Sequence, residues 1–574
     1  MTTPIEVDAL VVGAGFGGIY ATYRLSRMQP RMKVQTIDMA GDVGGTWYWN
    51  RYPGAMSDTE SYLYRYSWDK DDLKTYPWSQ HYVYQPEILR YLQHVVEKHD
   101  LRKYMLFNCE MQSASWDETL ERWRVECSST GINSTGTVYH ARYLVNSLGV
   151  LSKANYPDIP GLRSYDGITC HTAKWDNNIE LKGKKVGIIG SGSTGVQVMT
   201  AIAPIVGKLT LFQRRAQYSV PSGQGPVDPS YRQKINADYD KIWDNVWSSS
   251  VGFGVPESTR KTMDATPEER KQAFEEVWSR GNGFRFMFSA LRDLVTDEEA
   301  NNAACDFIRG KIDEIVTDPR KAHILKPQEL YARRPLCDFG YYQIFNRDNV
   351  DIVDLQANAI IRLVPQGVEL ADGTVHDVDV LIFATGFEAV DGSYTRIRGG
   401  VTGRNGRTLK DHWSDGSRAY GAVTCAGFPN MFLISGPQSP FANFPPVVEC
   451  EVNFIMSVIQ HAEGVVQQTK SEKDDEAGKL GDGPIQSPRR RAIMEAKEEA
   501  EADWVELCNS MLKGSLFAKT PSWILGQNIP GKKTNTNFYF AGLRPYLKWA
   551  DEEASAGFPG FTESAVQGDV VARL

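Results

Sequence analysis

The sequence predicts an α/β protein with two nucleotide-binding domains and a helical insertion in the second domain. Three observations lead to this fold class. A glycine-rich turn follows an apolar run at residue 13, a second such turn follows another apolar run at residue 190, and helix-capping signals occur between residues 221 and 332. The order of strand, glycine turn and helix is typical of Rossmann-like dinucleotide-binding domains.

The first glycine-rich turn reads GAGFGG and runs from Gly13 through Gly15 to Gly18. It follows four apolar residues and leads into a segment with helical spacing. Its glycines allow a tight turn and let the backbone approach a pyrophosphate at the helix N-terminus. The next strand-like run ends at Asp38, whose carboxylate can bind ribose hydroxyls and would repel a 2′-phosphate. We therefore predict an FAD site here, and a tight turn without a ligand is the alternative.

The second glycine-rich turn reads GSGSTG and repeats this pattern with a different ending. The strand that follows its helix ends in Arg214 and Arg215 instead of an acid. Arginine suits a 2′-phosphate by its charge and its planar fork of donors, so this site is predicted to bind NADPH. A solvated strand end is the alternative explanation for the two arginines. The residues assigned to this nucleotide are Gly190, Gly192, Thr194, Gly195, Gln197 and Arg214.

A third segment completes the two-nucleotide plan. The apolar run 380–384, which follows Asp379, leads into Thr385 and Gly386. It resembles the A-T-G element that leads the chain of two-dinucleotide flavoproteins back from the nicotinamide domain to the flavin domain. The predicted divisions are an FAD-binding domain at 1–150 and 385–574, an NADPH-binding domain at 151–220 and 333–384, and a helical insertion at 221–332.

The insertion carries two capping signals. Residues 266–269 read TPEE, a capping box with proline at the first helical position, and residues 296–299 read TDEE before another run with helical spacing. The aromatic residues Phe253, Phe284 and Phe286 are candidates for the wall of a substrate pocket, with core packing as the alternative.

A polar segment at residues 467–491 contains the charge run KSEKDDE and is predicted to be a surface loop. We expect the helix after it to begin at Ser487-Pro488 and to end at Gly514.

Composition narrows the class of protein. A net charge of -8 leaves no basic footprint for nucleic acid. The eight cysteines are scattered without a C-x-x-C or Cys/His cluster, so we predict no metal site, no redox disulfide and a reducing compartment. No apolar run reaches the roughly 18 residues that span a bilayer, and no signal peptide is recognised.

We therefore expect a cytoplasmic protein without a membrane partner. The final tripeptide, Ala572-Arg573-Leu574, resembles a permissive peroxisomal address, which makes the peroxisome the alternative location. The oligomeric state stays open, with a monomer among the options.

Two further stretches carry a family resemblance. Residues 44–58 match every defined position of the element (A/G)-G-x-W-x-x-x-x-(F/Y)-P-G-x-x-x-D of Baeyer–Villiger monooxygenases. Residues 165–175, YDGITCHTAKW, resemble the family's fingerprint F-x-G-x-x-x-H-x-x-x-W, with Tyr165 in place of phenylalanine. The resemblance covers nearly the whole chain. The residues matched by the two motifs include Gly45, Thr46, Trp47, Asp58, Gly167, His171 and Trp175.

The resemblance implies an enzyme that converts ketones, cyclic ones included, to esters or lactones with NADPH and O₂ through a C4a-peroxyflavin. A flavin-containing monooxygenase that oxidises nitrogen or sulfur nucleophiles is the alternative. That family shares both glycine turns, but its usual fingerprint lacks the tryptophan. A disulfide reductase would need a redox cysteine pair, which the sequence lacks. A non-enzymatic nucleotide sensor would have no need of the motif carboxylate.

The resemblance also implies residue roles. In the stretch LYARRPLCD, Arg334 would face the flavin and stabilise negative charge on oxygen, and Asp58 would orient its guanidinium. Arg333 would add a contact to the 2′-phosphate beside Arg214. A charged loop before a proline is the alternative for the two adjacent arginines.

Three other assignments depend on the same resemblance. Trp523 corresponds to a tryptophan on a loop that folds over bound NADP⁺, with an ordinary surface or core tryptophan as the alternative. His171 would fix how the two nucleotide domains sit and would not act as a base. Phe441 and Phe444 lie in a segment that shapes the substrate pocket in the family.

Overall fold

The computed structural model describes residues 3–130, 136–464 and 491–566. The tripeptide Ala572-Arg573-Leu574 and the expected helix start at Ser487-Pro488 lie outside these ranges. Within them, every helix is too short or too polar to traverse a lipid bilayer.

The strands of the described residues group into two large parallel or mixed sheets and several small ones. They are β1 (Ile5–Val12), β2 (Val34–Ile37), β3 (Met105–Leu106), β4 (Cys109–Asp117), β5 (Arg122–Ser129), β6 (Gly136–Asn146), β7 (Ile168–His171), β8 (Lys185–Ile189), β9 (Lys208–Gln213), β10 (Ser219–Pro221), β11 (Leu336–Asp338), β12 (Val350–Asp354), β13 (Ile360–Val364), β14 (Gly367–Leu370), β15 (Val375–Asp377), β16 (Val380–Phe383), β17 (Val401–Thr402), β18 (Met431–Leu433), β19 (Ser439–Pro440), β20 (Ala492–Ala496), β21 (Phe538–Tyr539) and β22 (Phe561–Ala565).

The α-helices of the same ranges cover the sheets and build the insertion. They are α1 (Phe16–Leu25), α2 (Thr46–Trp49), α3 (Lys70–Thr75), α4 (Gln85–Lys98), α5 (Ser193–Ile202), α6 (Pro229–Ser248), α7 (Pro267–Arg280), α8 (Gly283–Ser289), α9 (Glu298–Ile315), α10 (Pro319–Leu325), α11 (Tyr341–Ile344), α12 (Gly392–Thr395), α13 (Leu409–His412), α14 (Phe444–Ala462), α15 (Glu498–Lys513) and α16 (Leu543–Ser555).

The first large sheet has the order β17-β4-β5-β6-β1-β2-β3, and β18 also pairs with β6. Strand β1 lies parallel between β2 and β6, and its last four residues are buried, as expected for a strand covered on both faces. This order brings the carboxyl ends of β1 and β2 side by side. The first glycine turn and Asp38 therefore meet at one edge of the sheet.

The second large sheet has the order β12-β9-β8-β16-β7, with every neighbouring pair parallel. The carboxyl ends of its strands lead into the second glycine turn after β8, Arg214 after β9 and Thr385 after β16. Segments far apart in sequence thus converge at one edge, where open α/β sheets bind their ligands.

The insertion forms the predicted helices with one shift. Helix α7 begins at the predicted capping box, in which Glu269 N donates to Thr266 Oγ1 (3.2 Å) and Thr266 N donates to Glu269 Oε2 (2.8 Å). Helix α9 begins one residue later than predicted, because Asp297 caps it by accepting a hydrogen bond from Ala300 N (2.9 Å). A carboxylate at this position stabilises the helix N-terminus by its charge as well as its acceptor oxygen.

The first helix of the insertion packs away from the second sheet. The buried face of α6, which includes Tyr239 and Trp243, joins the core cluster of the first sheet's helices. Helices α7 to α9 instead share a core of their own around Phe286. Helix α6 of the insertion therefore packs with the helices of the first sheet, whereas α7 to α9 belong to a separate core cluster.

The helix that ends at Gly514 begins later than predicted, within the described residues. Residues 492–496 form β20, which pairs antiparallel with β22, and α15 begins only at Glu498. Strand β20 has four buried residues out of five, so packing on both faces favours a strand over the first turn of a helix. The predicted end of the helix at Gly514 is confirmed.

Candidate active site between the two sheets

A cavity of about 1610 Å³ lies between the carboxyl edges of the two large sheets. Both glycine turns, the motif 44–58 and the loop 521–530 contribute residues to its wall. Pockets for a single small ligand are commonly about 300–1,000 Å³. The cavity therefore has room for two large ligands side by side.

The first residue of each glycine turn shows why glycine is needed there. Gly13 has φ +107°, and a Cβ on it would lie 2.2 Å from the carbonyl oxygen of Ser147 after β6. Gly190 has φ +113°, and its Cβ would lie 2.4 Å from the carbonyl oxygen of Ala384 after β16. The two turns thus pack identically against a neighbouring strand, which leaves their backbone open to the cavity.

The remaining turn glycines divide between the cavity and the helix behind it. Gly15 and Gly192 line the cavity. Gly18 and Gly195 lie against the carbonyl oxygen of the first glycine in their own turn. These two permit close packing of helix on strand and do not themselves face the cavity.

Asp38 lines the cavity beside the first glycine turn. Its Oδ2 accepts a hydrogen bond from Ala14 N (2.6 Å) and its Oδ1 accepts one from Ala40 N (2.7 Å). Burial raises the pKa of this carboxyl, and the two backbone donors partly oppose that shift. An ionised carboxylate has about four lone-pair sites, so ribose hydroxyls can still donate to it. This end of the cavity fits the adenosine part of FAD.

Three arginines line the nucleotide end of the cavity: Arg214, Arg215 and Arg333. Burial, and then the charges of the other two, lower the pKa of Arg333 to about 10. Glu329, which the sequence analysis missed, forms an ion pair with Arg333 and lies 3.7 Å from Arg215 Nε. The excess of positive charge fits the 2′-phosphate of NADPH.

Arg334 and Asp58 meet in the centre of the cavity wall. Arg334 Nη1 donates to Asp58 Oδ2 (2.5 Å) and to Ser193 Oγ (3.1 Å). Burial lowers the pKa of Arg334, but the charge of Asp58 and its hydrogen bond outweigh this effect and raise it overall. Protein encloses the guanidinium on most sides, yet 31% of the side chain stays exposed toward the cavity. Arg334 therefore presents a positive guanidinium to the cavity, and Asp58 fixes its direction.

Gln197 joins this pair to the motif that precedes it. Gln197 Nε2 donates to Met56 O (3.1 Å) and Asp58 Oδ1 (3.5 Å), and its Oε1 accepts from Tyr52 OH (2.9 Å). Gly54 of the motif has φ +82°, and a Cβ there would lie 2.5 Å from the carbonyl oxygen of Gln197. Glycine therefore lets the motif pack directly on α5, which follows a strand of the second large sheet.

Four of the five aromatic residues predicted to shape a substrate pocket line the cavity. The rings of Phe253 and Phe284 stack at 4.0 Å between centroids, and both line the cavity with Phe441 and Phe444. Phe286 is wrongly assigned, because it is fully buried in the core of the insertion and does not reach the cavity. Its place on α8, two positions from Phe284, turns it to the opposite side of the helix.

The two predicted tryptophans and their neighbours also line the cavity. Trp47 Nε1 donates to Tyr64 OH (3.1 Å), and Thr46 lies beside it. Trp523 lies on the loop 521–530, with its ring 5.8 Å from that of Phe538. The assigned cofactor contacts of these residues stay predictions.

The fingerprint histidine lies behind the cavity. His171 ends β7 and faces Thr385, whose Oγ1 is 3.4 Å from His171 Nε2. Burial lowers the pKa of His171 to about 4, so the ring is neutral and accepts a hydrogen bond at Nδ1 from Ala173 N (3.1 Å). Of the other fingerprint residues, Trp175 lines the cavity and Gly167 does not. Tyr165 uses the hydroxyl that phenylalanine lacks to donate to Val378 O (2.8 Å).

Some cavity residues had no assignment from sequence. Arg396 lines the cavity and donates to Ser152 O (3.3 Å), and the charge of Asp38 acts on it. No motif surrounds Arg396, so only the fold reveals it. Ser193, in contrast, lies inside the second glycine turn, so its position in the sequence already indicated that it is near the predicted NADPH site.

One group of possible metal ligands exists in the described ranges, although the sequence predicts none. His412, Cys425 and Glu501 are buried, with one ligand atom of each within 4.8 Å of the others. They do not line the cavity. A hydrogen bond of 2.9 Å between His412 Nε2 and Glu501 Oε1 accounts for their proximity.

Comparison with known proteins gives the family. Residues 7–228 match the model of the pyridine nucleotide-disulphide oxidoreductases. The chain is 44% identical to cyclohexanone 1,2-monooxygenase of Acinetobacter sp. over 99% of both chains. It is 44% identical to a Baeyer–Villiger monooxygenase of Pseudooceanicola batsensis over 95% of this chain and 94% of that one. It is 43% identical to phenazine N-monooxygenase of Lysobacter antibioticus over 96% of both.

Solved structures of related proteins support the same family. The fold matches cyclohexanone monooxygenase of Rhodococcus sp. Phi1 bound to NADP⁺ with a TM-score of 0.90 and 44% identity, over 98% of this chain and 100% of that one. A cyclohexanone-bound structure of cyclohexanone monooxygenase matches with a TM-score of 0.86 and 43% identity, over the same shares. The predicted fold class, enzyme class and family are confirmed. The chain is a flavin-dependent monooxygenase and belongs to the Baeyer–Villiger monooxygenases.

Proposed function

We propose that this protein converts ketones, cyclic ketones among them, to esters or lactones with NADPH and O₂ as co-substrates and FAD as its bound cofactor. The observation that carries the proposal is the Arg334–Asp58 pair, which faces the cavity between the two nucleotide-binding turns. Bound FAD supplies the reaction with O₂, and NADPH supplies the hydride.

Arg334 provides the charge that oxygen insertion into a ketone requires. Attack on a carbonyl builds negative charge on oxygen, and a fixed cation in an enclosed site stabilises that charge without reorganisation. The raised pKa of Arg334 keeps it protonated at every working pH. Asp58 and Ser193 hold the guanidinium from two directions, so its aim does not depend on the substrate.

The aromatic wall supports an apolar ketone as substrate. Phe253 and Phe284 stack beside the guanidinium, with the Phe284 ring centroid 5.4 Å from the central carbon of Arg334. A ketone can place its ring against the phenylalanines and its carbonyl near the cation. The same apolar surface keeps water away from the reacting oxygen.

The arginines at one end of the cavity support NADPH over NADH as the co-substrate. Arg214 and Arg333 are the proposed contacts of the 2′-phosphate, and the ion pair with Glu329 orients Arg333. Trp523 and the loop around it are proposed to cover the bound nicotinamide half.

One incubation tests the proposed reaction. Purified protein with FAD is supplied with NADPH, air and cyclohexanone, and the extract is analysed for ε-caprolactone by gas chromatography. We expect lactone in proportion to NADPH consumed, and none when NADPH or O₂ is withheld. NADPH consumption without ester or lactone from any of a panel of linear and cyclic ketones would refute the proposal.

Oxidation of nitrogen is the second candidate, because a phenazine N-monooxygenase is among the relatives. A parallel incubation with phenazine distinguishes the two functions. N-oxide formed in the absence of any ester or lactone product would favour this candidate instead.

For the cellular location we propose the cytoplasm. Microscopy of a fusion tagged at the N-terminus, with Ala572-Arg573-Leu574 left free, separates diffuse signal from peroxisomal puncta.

A further inference from the structure

A buried asparagine of the insertion is hydrogen-bonded directly to the loop that carries Asp58. Asn282 precedes α8, has φ +81° and is only 4% exposed. Its Nδ2 donates to the backbone carbonyl of Asp58 (3.1 Å) and to Tyr82 OH (3.0 Å). Its Oδ1 accepts from Phe284 N (2.9 Å) and Arg285 N (3.2 Å). One side chain therefore caps α8 and joins it to the loop of the proposed active site.

Asparagine is suited both to capping α8 and to holding the loop that carries Asp58. A left-handed backbone is costly for most side chains, but asparagine and glycine tolerate it. The asparagine amide offers an acceptor for the helix N-terminus and, on a separate atom, a donor for a carbonyl, whereas an ionised aspartate offers acceptors alone. Glycine would keep the backbone and lose both contacts.

A second contact joins the same two elements. Arg285 Nη2 donates to Glu60 Oε1 (3.2 Å), and both side chains are largely buried. Arg285 Nη1 also donates to Gly281 O (2.6 Å), and Tyr62 OH donates to Glu60 Oε2 (3.0 Å). The loop at residues 58–60 is thus held to α8 at both of its ends.

This connection sets the spacing of two parts of the proposed active site. Helix α8 carries Phe284, which lies on the guanidinium of Arg334 and stacks on Phe253. The loop carries Asp58, which holds the same guanidinium by its carboxylate. The charge and the aromatic wall therefore belong to different segments, and Asn282 is the hydrogen-bonded link between them.

We propose that Asn282 is a positioning residue that fixes the Arg334–Asp58 pair relative to the aromatic wall. The inference rests on the proposed function, in which a ketone lies against that wall with its carbonyl near Arg334. When the link is loosened, the ketone and the charge no longer meet in the reactive geometry. Reducing equivalents from NADPH then leave as hydrogen peroxide instead of ending in lactone and water.

The exchange Asn282→Asp tests this role. The carboxylate keeps the acceptor for Phe284 N and Arg285 N but removes the donor to Asp58 O and places a negative charge beside that carbonyl. We expect FAD binding and NADPH oxidation close to the parent, and lactone formed per NADPH lower by roughly three- to tenfold, the range that loss of one or two neutral hydrogen bonds gives. Hydrogen peroxide should rise to balance the NADPH consumed.

Two matched variants serve as controls. Asp297→Asn makes the opposite exchange at the cap of α9, in the same insertion but without a contact to the loop, and should leave the lactone yield unchanged. Tyr82→Phe removes the other acceptor of Asn282 Nδ2 without touching Asp58 and should also behave like the parent.

A second route covers the case in which Asn282→Asp does not fold. Asn282→Gly keeps the left-handed backbone, and Glu60→Gln weakens the ion pair with Arg285 at the other end of the loop. Both should lower lactone per NADPH in protein with full FAD content, the glutamine variant less. If the folded variants at position 282 retain the parent ratio of lactone to NADPH, the positioning role is wrong. A parent that forms no lactone at all would instead refute the proposed function.

Discussion

Arg334 contributes a charge that no other residue of the cavity duplicates at the same point. Arg333 and Arg214 also line the cavity, but of the three only Arg334 forms an ion pair with Asp58 in the described residues. For Arg334→Ala we expect retained FAD, slower but measurable flavin reduction by NADPH, and ester formation lower by at least about 10²–10³-fold, because a fixed donor to a developing anion is lost. Product ester and hydrogen peroxide are measured per NADPH consumed.

Asp58→Ala should show the same loss of ester formation as Arg334→Ala, but to a smaller extent. It leaves the charge of Arg334 in place but removes the partner that aims it, so a milder loss of ester and a smaller peroxide leak are expected. Ester formation near the parent rate in Arg334→Ala would mean that the active site is assigned to the wrong residue.

Arg214 should decide between the two nicotinamide cofactors. A charge-assisted contact to phosphate is worth roughly 1.5–3 kcal/mol, so Arg214→Ala should raise the KM for NADPH about tenfold or more. NADH lacks the phosphate and should be nearly unaffected. Steady-state kinetics with both cofactors measure this, and Arg215→Ala, which removes a neighbouring arginine that is not assigned to the phosphate, should have the smaller effect. Equal losses with NADPH and NADH would contradict a phosphate contact.

At the scale of elements, His171 links β7 to the segment after β16. The ring lies against Thr385 and Phe387, in the stretch through which the chain passes from the second sheet toward the first. A neutral imidazole is required here, because burial lowers its pKa to about 4 from a value near 6.5. The link should therefore be weakened by acid.

The sign of this pH effect follows from proton binding. Between pH 6.5 and 4 the unfolded chain protonates this histidine while the folded protein does not, so stability is lost as pH falls through that window. The full loss amounts to about 3 kcal/mol at pH below 4. His171→Gln keeps a polar side chain that does not titrate, and its thermal midpoint should fall less than that of the parent between pH 7 and pH 5. Identical slopes would show that His171 titrates normally.

At the scale of the whole molecule, the cavity wall draws on both sheets and on the C-terminal loop. The loop 521–530 is held by Arg333 Nε, which donates to Pro521 O (3.0 Å), and by Asn528 Nδ2, which donates to Phe387 O (2.8 Å). A nucleotide bound in the cavity would contact all three parts at once. Binding should therefore stabilise the fold as a unit.

NADP⁺ at about 100 times its Kd should add roughly 2.7 kcal/mol to the free energy of unfolding, seen as a higher thermal midpoint. NAD⁺ at the same concentration should add much less, because it does not engage Arg214 and Arg333. Trp523→Ala should reduce the gain from NADP⁺ if this side chain covers the nucleotide. Equal shifts with NADP⁺ and NAD⁺ would argue against a phosphate site.

Sequence reasoning alone predicted the two nucleotide-binding units, their order along the chain and the family. Short stretches of sequence carry these features. Glycine occurs where a Cβ would clash with a neighbouring strand, and an acid or an arginine follows the strand predicted to contact the ribose. The motif spacings also lie within single stretches of the chain. The capping box at Thr266 and the strand ends before Asp38 and Arg214 could be predicted for the same reason. The family resemblance extended this reading to Arg334 and Asp58.

Which side chains come into contact depends on the three-dimensional packing of the chain. Phe284 and Phe286 are alike in sequence, yet one lines the cavity and the other lies in the core, because the packing of α8 selects the face. Residues 492–496 form a strand because a partner strand lies beside them. Asn282 reaches Asp58 from a distant segment. Such contacts depend on burial and on long-range pairing, which a single stretch of sequence does not encode.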